Sequence, residues 1–451
     1  MTNEKLSATS LWNLSGAEDT GNAIQTNSNA AESAISLWDM SSTEESLDSA
    51  MDCDLTTDVA IVGGGFTGLS TALHLAEKGI ACEVLEAKKI GFGGSGRNVG
   101  LVNTGLWLPP QDVHARLGKE RGSQLIRQLA EAPELVFSLI DKHGIECEAS
   151  KDGSVHAAHS PAGYEDLARR AEEWHRLGAP VDLLNKEEAA EHIGCDIFHG
   201  GLVDHRAGTI NPMGYVRGLA RAAQSTGAGL NTGVTVTKLQ REAGKWIIDT
   251  TCGRVTANSV ILGTNAYTDE LWPKLKNCFT MIHYFQFATE PLGDRISHIL
   301  PKIRGLWDTG QIMFSLRRDR YDRLIVGSMG KVIGGKDGLS SKWASKRLQR
   351  MFPELGIVDF QIGWHGQIAM TPDHLPRIYH LDEGLYTSIG YNGRGITTGT
   401  LFGRAMANYL MDGKDVNLPV PITQCKSVSS AAIMSQVYEV AFKANQLIKS
   451  I

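Results

Sequence analysis

Three glycines at close spacing, Gly63, Gly65 and Gly68, are the clearest indication of chemistry in this sequence. The first permits a tight turn after a strand, the second lets the backbone approach a pyrophosphate, and the third allows a helix to pack closely on the strand. Glu86 follows in the chain, where a carboxylate accepts hydrogen bonds from ribose hydroxyls and repels a 2′-phosphate. The flanking positions expected to contact the same ligand are Phe66, Thr67 and Ala87. The pattern predicts a dinucleotide site that excludes NADP.

A second glycine-rich stretch, residues 91–100, follows this unit. A protein that binds NAD would continue with alternating strands and helices, whereas the flat isoalloxazine ring of FAD needs a long loop to lie along it. The positions expected to reach the cofactor are Gly94, Ser95, Arg97 and Asn98. The stretch therefore favours FAD, and an ordinary surface loop rich in glycine is the alternative.

A third cluster, residues 384–398, combines a strand pattern, a glycine turn and the start of a helix. Backbone N–H groups at a helix start would stabilise the negative charge that a reduced flavin develops near N1 and O2. The positions expected to make these contacts are Gly390, Gly393, Gly395, Ile396 and Thr397. A plain junction between a turn and a helix is the alternative.

The elements that must position these clusters begin with a strand, a helix and a second strand. Residues 58–62 are a short β-branched apolar run, residues 67–78 carry apolar side chains at helical spacing, and residues 81–85 form another apolar run. Farther along, residues 234–236 and 259–262 also show strand patterns. The expected fold is α/β, or α+β overall. It consists of a Rossmann-type FAD-binding domain and a second, substrate domain built on a mixed or antiparallel sheet with helices.

A chain of 451 residues is too long for one core, so we expect a division into domains. The expected parts are a loosely structured N-terminal extension (1–50), a discontinuous FAD-binding domain (51–110, 200–275 and 360–425), a substrate domain (111–199 and 276–359) and a C-terminal helix (426–451).

Composition places the chain among ordinary globular proteins, with 42% hydrophobic and 21% charged residues. A formal net charge of −6 gives no reason to expect nucleic acid as a partner. No apolar run reaches the roughly 18 residues of a membrane-spanning helix, and the first residues lack the pattern of a secretory signal. We therefore expect a cytoplasmic protein without a membrane span, and we leave its oligomeric state open.

Seven cysteines are scattered along the chain. Their number is odd, and no two have the C-x-x-C spacing typical of redox and zinc sites. We expect free thiols in a reducing compartment, with no disulfide framework and no metal site.

The N-terminal extension is rich in Ser, Asn, Thr, Ala and acidic residues. It contains a near-repeat, Ser-Leu-Trp-Asn at 10–13 and Ser-Leu-Trp-Asp at 36–39. The repeat is either a coincidence or a pair of small apolar anchors that dock the extension on the body of the protein or on a partner subunit. We expect the extension to lie outside the catalytic machinery.

Taken together, these motifs resemble those of the D-amino-acid-oxidase-like FAD oxidoreductases, which include glycine and sarcosine oxidases. The resemblance rests on residues 58–86, on the Gly-Gly-Ser-Gly-Arg-Asn run at 93–98, on Thr-Pro-Asp at 371–373 and on the turn at 390–398. Within the family, the chain most resembles the γ-glutamylputrescine-oxidase-like and iminodiacetate-oxidase-like amine oxidases. The resemblance further implies cofactor contacts by the backbone of Val234 and by Gly263 with its two successors.

The resemblance also implies a reaction. It is the FAD-dependent oxidation of a C–N bond in a small primary or secondary amine, such as an amino acid derivative or an N-carboxymethyl amine. Hydride is transferred to flavin N5 and the imine then hydrolyses, with oxygen as the acceptor and H2O2 as the product. One alternative is a dehydrogenase on the same fold that passes electrons to a quinone or carrier. Another is a non-catalytic FAD-fold binding protein, against which the intact glycine set argues.

Three departures from the family pattern qualify these expectations. Gly366 stands where covalently flavinylated relatives have a cysteine, and Arg97 stands near their alternative attachment histidine, so we expect non-covalent FAD. Ile368 stands where amino acid oxidases keep the arginine that binds the substrate carboxylate. Residues 324–326 contain no counterpart of the lysine with which sarcosine oxidase activates oxygen.

Candidates for substrate contact lie on the strand expected opposite the flavin and near its ring: His283, Tyr284, Gln286, Trp364 and His365, with Met313, Arg317 and Tyr321 as further candidates. For the histidines and Trp364, a structural role is the alternative. Arg317 belongs to a basic cluster with interleaved aspartates at 317–323. The cluster is either a solvated hairpin or the source of one inward arginine that replaces the missing carboxylate clamp.

Overall fold

Two β-sheets organise the computed structural model, which describes residues 35–51, 53–428 and 430–450. Its α-helices are α1 (Leu37–Ser41), α2 (Phe66–Ala76), α3 (Pro110–Leu117), α4 (Lys119–His143), α5 (Pro161–Arg176), α6 (Lys186–Ile193), α7 (Pro212–Ser225), α8 (Leu339–Met351), α9 (Gly395–Asp412) and α10 (Ala431–Ser450).

The strands are β1 (Leu55–Val62), β2 (Cys82–Glu86), β3 (Leu101–Val102), β4 (Ser154–Ala157), β5 (Val181–Leu184), β6 (Gly201–Asp204), β7 (Gly208–Thr209), β8 (Gly229–Thr232), β9 (Val236–Glu242), β10 (Lys245–Thr250), β11 (Arg254–Leu262), β12 (Thr280–Thr289), β13 (Gly305–Asp308), β14 (Phe314–Arg318), β15 (Leu324–Met329), β16 (Phe360–Met370), β17 (Arg377–Asp382), β18 (Leu385–Ile389) and β19 (Ile422–Gln424).

The first sheet contains the dinucleotide motif. Its strand order is β19-β17-β18-β11-β1-β2-β8, with the β9–β10 hairpin beside β11, and β1 runs parallel to both β2 and β11. The expected succession of strand, turn, helix and strand is confirmed as β1, α2 and β2. Gly63 turns the chain at φ +108°, and a Cβ on Gly68 would lie 2.0 Å from Gly63 O. The glycines are therefore required by the close packing of α2 on β1.

The second sheet has eight strands in the order β16-β12-β15-β14-β13-β4-β6-β5, and its pairs are antiparallel except for β13 with β4. The expected combination of a Rossmann-type domain with a second, mixed sheet is confirmed. The boundaries expected at 200 and 360 do not follow the sheets, because β6 and β16 belong to the second sheet. The aromatic side chains of Phe285 and Phe314 contact Trp343 and so pack this sheet against α8.

Residues 234–236 do not form the expected strand. β8 ends at Thr232 and β9 begins at Val236, so the chain between them is a connection. Gly233, at φ +70°, turns the backbone there. The N–H of Val234 then donates to Glu86 O at 2.9 Å, which holds the connection against the end of β2.

The expectation that all cysteines are free is wrong, because Cys278 and Cys425 form a disulfide with a Cα–Cα distance of 6.5 Å. The two residues are 147 positions apart, and the fold brings the chain after β19 against the turn before β12. Neither an odd count nor local spacing reveals such a pair, because long-range packing creates it. The cysteine pattern therefore no longer supports the expected reducing compartment.

The C-terminal residues form the expected helix, α10, which packs outside β12 and α8. Among the helices of the described residues, none combines the length and the apolar character that crossing a membrane requires.

Candidate active site

One elongated cavity of about 390 Å³ is lined by residues from both sheets. From the first sheet and its loops come residues 62–67, 85–88, 92–95, 97–99, 234–236, 263–267 and 391–396. From the second sheet come Ile282, Tyr284, Gln286, Trp307, Ser315 and residues 366–370. The cavity therefore connects the glycine-rich loops to a pocket with aromatic walls.

The end of the cavity beside β1 is built to hold a diphosphate. Gly65 lies at the N-terminus of α2, and the N–H of Phe66 donates to Ser95 Oγ at 3.0 Å. A Cβ on Gly65 would lie 2.9 Å from that same hydroxyl oxygen. The positive end of the α2 dipole faces this narrow space, which only a glycine leaves open.

Glu86 ends β2 at the edge of the cavity. Its carboxylate accepts hydrogen bonds from the N–H of Gly64 at 2.7 Å and of Lys88 at 2.8 Å. Burial raises the pKa of Glu86 although both N–H groups favour the charged form. A carboxylate has about four acceptor sites, so two sites remain for ligand hydroxyls.

The expected cofactor residues line this cavity except Gly68, Gly390 and Thr397. Gly68 serves the packing of α2 on β1, while the N–H of Gly390 donates to Asn265 Oδ1 at 3.1 Å. The hydroxyl of Thr397 donates to Asn103 O at 3.0 Å and so ties α9 to the chain after β3. These three residues therefore support the cavity from behind its wall.

Strand alternation divides the residues expected on the substrate side. Successive side chains of β12 point to opposite faces, so Ile282, Tyr284 and Gln286 line the cavity while His283 points away from it. The sequence interpretation placed the adjacent residues His283 and Tyr284 in one pocket, which an extended strand does not allow. His283 Nδ1 instead contacts the Glu439 carboxylate on α10.

His365 and Trp364 are also outside the cavity wall. His365 pairs with Phe285 across the sheet and lies beside His283, with ring centroids 5.5 Å apart. Burial, together with the charges of His283 and Arg97, lowers the pKa of His365 to about 4. Trp364 is fully buried, and its indole N–H donates to Arg97 O at 3.0 Å. Both residues therefore lie behind the cavity wall and do not line the cavity.

Arg317 does not replace the missing carboxylate clamp. It is 1% exposed and lies outside the cavity lining. Its guanidinium donates to the carbonyls of Val99, at 2.9 Å, and Ile210. Tyr321 is exposed at the tip of the β14–β15 hairpin, where two arginine side chains lie over its ring. The remaining candidate, Met313, does line the cavity.

The sequence interpretation missed Arg394, which lines the cavity and is 7% exposed. It is the N-cap residue of α9, where the helix dipole disfavours a cation. Within the described residues, no carboxylate forms an ion pair with Arg394, and its Nε has no hydrogen-bond partner. Asp204, whose charge acts on Arg394, is already paired with Arg206 at 2.6 Å. A lone cation inside the glycine turn was the signal that could have identified it.

An aromatic stack supports this arginine. The Arg394 guanidinium lies 4.3 Å from the centre of the Trp307 ring, and the His156 ring stacks on Trp307 with centroids 3.4 Å apart. Burial and the nearby Arg170 lower the pKa of Arg394 to about 9. Burial also lowers the pKa of His156 well below its usual value, so the imidazole stays neutral. The aromatic end of the cavity therefore holds a buried positive charge, that of Arg394, which favours an anion.

Two positions singled out by the family resemblance line the same cavity. Gly366 and Ile368 lie on β16, which pairs with β12. A Cβ on Gly366 would lie 3.1 Å from the Arg97 Cβ. Neither residue carries a group that bonds covalently to a flavin or pairs with a carboxylate.

Comparison with known proteins agrees with this arrangement. Residues 58–409 match a family model described as DAO, FAD dependent oxidoreductase. The chain is 31% identical to gamma-glutamylputrescine oxidoreductase of Escherichia coli (strain K12) over 364 residues, which cover 79% of this chain and 84% of that protein. A crystal structure of glycine oxidase from Geobacillus kaustophilus superposes with a TM-score of 0.65 at 21% identity, covering 80% of this chain and 95% of the other.

A crystal structure of L-proline dehydrogenase from P. horikoshii gives the same TM-score of 0.65, also at 21% identity, with 81% of this chain and 97% of the other covered. The resemblance inferred from the sequence motifs is confirmed.

Proposed function

This chain belongs to the DAO family of FAD-dependent oxidoreductases, and from that premise we propose that it oxidises a C–N bond in a small primary or secondary amine that carries a carboxylate. Amino acid derivatives and N-carboxymethyl amines are the substrate class. The observation that carries the proposal is Arg394, a buried cation without a counter-ion in a cavity that begins at the dinucleotide motif. The relatives named for amine and amino acid substrates support it.

The residues of the cavity fit FAD. The α2 N-terminus and the space kept open at Gly65 suit the diphosphate, and Glu86 has acceptor sites left for ribose hydroxyls. The loop at 92–99 and the start of α9 extend this wall toward the aromatic pocket. When bound, FAD accepts the hydride equivalent that leaves the carbon next to the substrate nitrogen.

We assign Arg394 the role of binding the substrate carboxylate. A guanidinium presents paired N–H donors that match a carboxylate, and Trp307 holds its plane in place. An unpaired carboxylate in this buried pocket would cost several kcal/mol even after relaxation. Arg394 thus supplies the carboxylate-binding cation that the position of Ile368 lacks, and both residues line the same cavity.

Tyr284 contributes a neutral polar group. Its hydroxyl donates to Ser315 Oγ at 2.7 Å, so the phenol oxygen remains free to accept a hydrogen bond from a substrate amine. Burial raises the pKa of Tyr284, which keeps the phenol protonated. The part of the wall formed by Tyr284, Trp307 and Arg394 contains no carboxylate or neutral histidine that would take a proton from the amine. The amine must therefore lose its proton before oxidation, and the rate should rise with pH.

The test is anaerobic stopped-flow reduction of the enzyme by matched amines. Sarcosine and N-methylethylamine differ by a carboxylate in place of a methyl group, and iminodiacetate and γ-glutamylputrescine extend the series. We expect sarcosine or the larger carboxylates to reduce the flavin, and Arg394→Gln to lower their second-order rate constants about 100-fold, which is on the order of 3 kcal/mol.

Arg347→Gln is the control for this experiment. Arg347 is also a largely buried arginine over an aromatic ring, 4.4 Å from the Phe314 centroid, and it lies outside the cavity lining. The control should keep the wild-type rates. If Arg394→Gln lowered the rate constants for sarcosine and N-methylethylamine equally, Arg394 would not bind the carboxylate. If no amine of the panel reduced the flavin, amine oxidation would be refuted.

We propose oxygen as the electron acceptor, with H2O2 as the product. Mixing substrate-reduced enzyme with oxygen and following both reoxidation and peroxide tests this assignment. Slow reoxidation by oxygen combined with rapid reoxidation by a soluble quinone would identify a dehydrogenase instead.

A further inference from the structure

Four successive backbone carbonyls, at residues 96–99 of the glycine-rich loop, each accept a hydrogen bond from a distant side chain. Gln286 and Trp364 donate to Arg97 O at 2.6 and 3.0 Å, Trp38 donates to Asn98 O at 2.8 Å, Arg317 donates to Val99 O at 2.9 Å, and Ser36 Oγ lies 2.9 Å from Gly96 O. Distant side chains thus hold four successive residues of a loop that belongs to neither sheet.

Two of these donors come from the N-terminal segment, residues 35–51, and not from the family-matched region 58–409. The second copy of the Ser-Leu-Trp repeat forms α1, with Ser36 and Asp39 in a reciprocal capping box. Leu37 and Trp38 are fully buried. This copy therefore docks on the body of the protein, while the first copy at 10–13 lies outside the described residues.

Charged contacts fix the N-terminal segment to the body. Asp39 pairs with Lys89 at the start of the glycine loop region, and the Glu44 carboxylate binds Arg221 on α7 at 2.6 and 2.9 Å. Glu44 also accepts the N–H of Glu146 at 3.0 Å and is 7% exposed. Both carboxylates are largely buried and hydrogen-bonded, and leaving either of them unpaired would be costly, so these contacts hold the segment on the body. The expectation of a loosely structured extension is wrong for this part.

Trp38 connects the donors to one another. Its ring meets the edge of Trp364 at a centroid distance of 6.1 Å, and the Arg317 guanidinium lies 4.6 Å from its centre. The Trp38 indole therefore contacts Trp364, which donates to Arg97 O, and Arg317, which donates to Val99 O. Its own N–H donates to Asn98 O.

The direction of these carbonyls determines what the loop presents to the cavity. In a planar trans peptide, the N–H of the next residue points opposite to the carbonyl, and the described residues contain no cis peptide bond. The held carbonyls of Arg97 and Asn98 therefore direct the N–H groups of Asn98 and Val99 to the other side. Both residues line the cavity, and within the described chain neither N–H has a hydrogen-bond partner.

We propose that the N-terminal segment is part of the flavin site and that Trp38 is a positioning residue, which holds the loop so that the N–H groups of Asn98 and Val99 donate to FAD. Fixed donors beside a flavin stabilise the extra negative charge of its reduced form. The segment thus tunes the cofactor without contacting it. The inference depends on the FAD family assignment and not on the proposed amine substrate.

Trp38→Phe tests the proposal, because it removes the N–H donor and retains an aromatic ring. The matched control is Trp246→Phe, since Trp246 is also buried and donates to a backbone carbonyl, Glu383 O at 3.1 Å, but does not line the cavity. We expect Trp38→Phe to raise the dissociation constant for FAD about three- to tenfold, to make the midpoint potential of the flavin more negative and to shift its visible absorption. Trp246→Phe should leave all three at wild-type values.

A second variant covers the case in which Trp38→Phe does not fold. Ser36→Ala removes only the hydroxyl, which Gly96 O shares with the Asp39 carboxylate, and it should shift the midpoint potential in the same direction by a smaller amount. The folded variants could lower the melting temperature as Trp246→Phe does and still keep the wild-type midpoint potential, spectrum and FAD affinity. In that case Trp38 has only a structural role, and the proposal is overturned. No amine is used, so these outcomes do not depend on the proposed reaction.

Discussion

The two walls of the cavity are built in different ways. The dinucleotide wall centres on one short stretch of chain, β1, α2 and β2, and there it presents mainly backbone groups and glycines to the cavity. The substrate wall combines Tyr284 on β12, Trp307 on β13 and Ile368 on β16 with Arg394 at the start of α9. Local spacing defines the first wall, whereas long-range pairing assembles the second.

The difference explains why sequence patterns predict the first wall better than the second. In the first wall, a glycine is needed wherever a Cβ would meet backbone, as at Gly68, where it would lie 2.0 Å from Gly63 O. In the second wall, the face on which a side chain emerges depends on strand register, and an error of one residue reverses it. His283 and Tyr284 illustrate this, since one faces α10 and the other the cavity.

The most severe test of the dinucleotide wall is Gly65→Val. A side chain at this position would fill the space beside Ser95 Oγ that the diphosphate needs. We expect FAD affinity to fall at least about 100-fold while the far-UV circular dichroism spectrum stays native. Full FAD occupancy in the purified variant would show that the phosphates lie elsewhere, and Gly65→Ala should give an intermediate loss.

A smaller effect is expected at the other end of the same wall. Glu86→Ala should weaken FAD binding by about 1–3 kcal/mol, because it removes charge-assisted hydrogen bonds to the ribose. Glu83→Ala is the control, since Glu83 lies on the same strand, binds Asn231 Nδ2 at 2.8 Å and does not line the cavity. Titration of the apoprotein with FAD measures both constants. Equal constants for Glu86→Ala and wild type would remove Glu86 from the site.

On the substrate wall, the sharpest comparison is between neighbouring residues of β12. Tyr284→Phe should slow anaerobic flavin reduction about five- to tenfold, the change expected from one lost hydrogen bond of roughly 1 kcal/mol. His283→Gln should leave that rate unchanged, because His283 faces α10. The reverse result would mean that the register of β12 differs from the one described.

The smallest effect is expected at the contact between His283 and Glu439, which lies behind the substrate wall. Burial alone would raise the pKa of Glu439, but the hydrogen bond and charge of His283 outweigh it and hold the pKa below its usual value. Such a carboxylate stabilises the fold above its unfolded pKa, and the contribution is lost as pH falls through the folded pKa. Glu439→Gln should therefore cost about 0.5–1 kcal/mol at pH 7 in urea unfolding, and the difference should diminish as the pH falls below the usual pKa of a glutamate. A difference that persists in acid would point to packing instead.

By itself, the sequence determined the dinucleotide unit, the FAD family and the general arrangement of a Rossmann-type domain with a second sheet. The dinucleotide unit rests on contacts within about 30 residues, where backbone geometry restricts which residue types are tolerated, and the family assignment rests on four short motifs of this kind. Residues 390–398 were also identified as a functional turn, although the one charged side chain among them, Arg394, was overlooked.

Only the tertiary structure decided which side chains face the cavity. It left Arg394 without an ion-pair partner among the described carboxylates, placed Arg317 behind the loop, and joined Cys278 to Cys425. It also brought Trp38 from the N-terminal segment to Asn98, 60 positions away. Each of these contacts joins residues distant in the chain, so their formation depends on strand register and on how the elements pack. Local propensity carries no information about either.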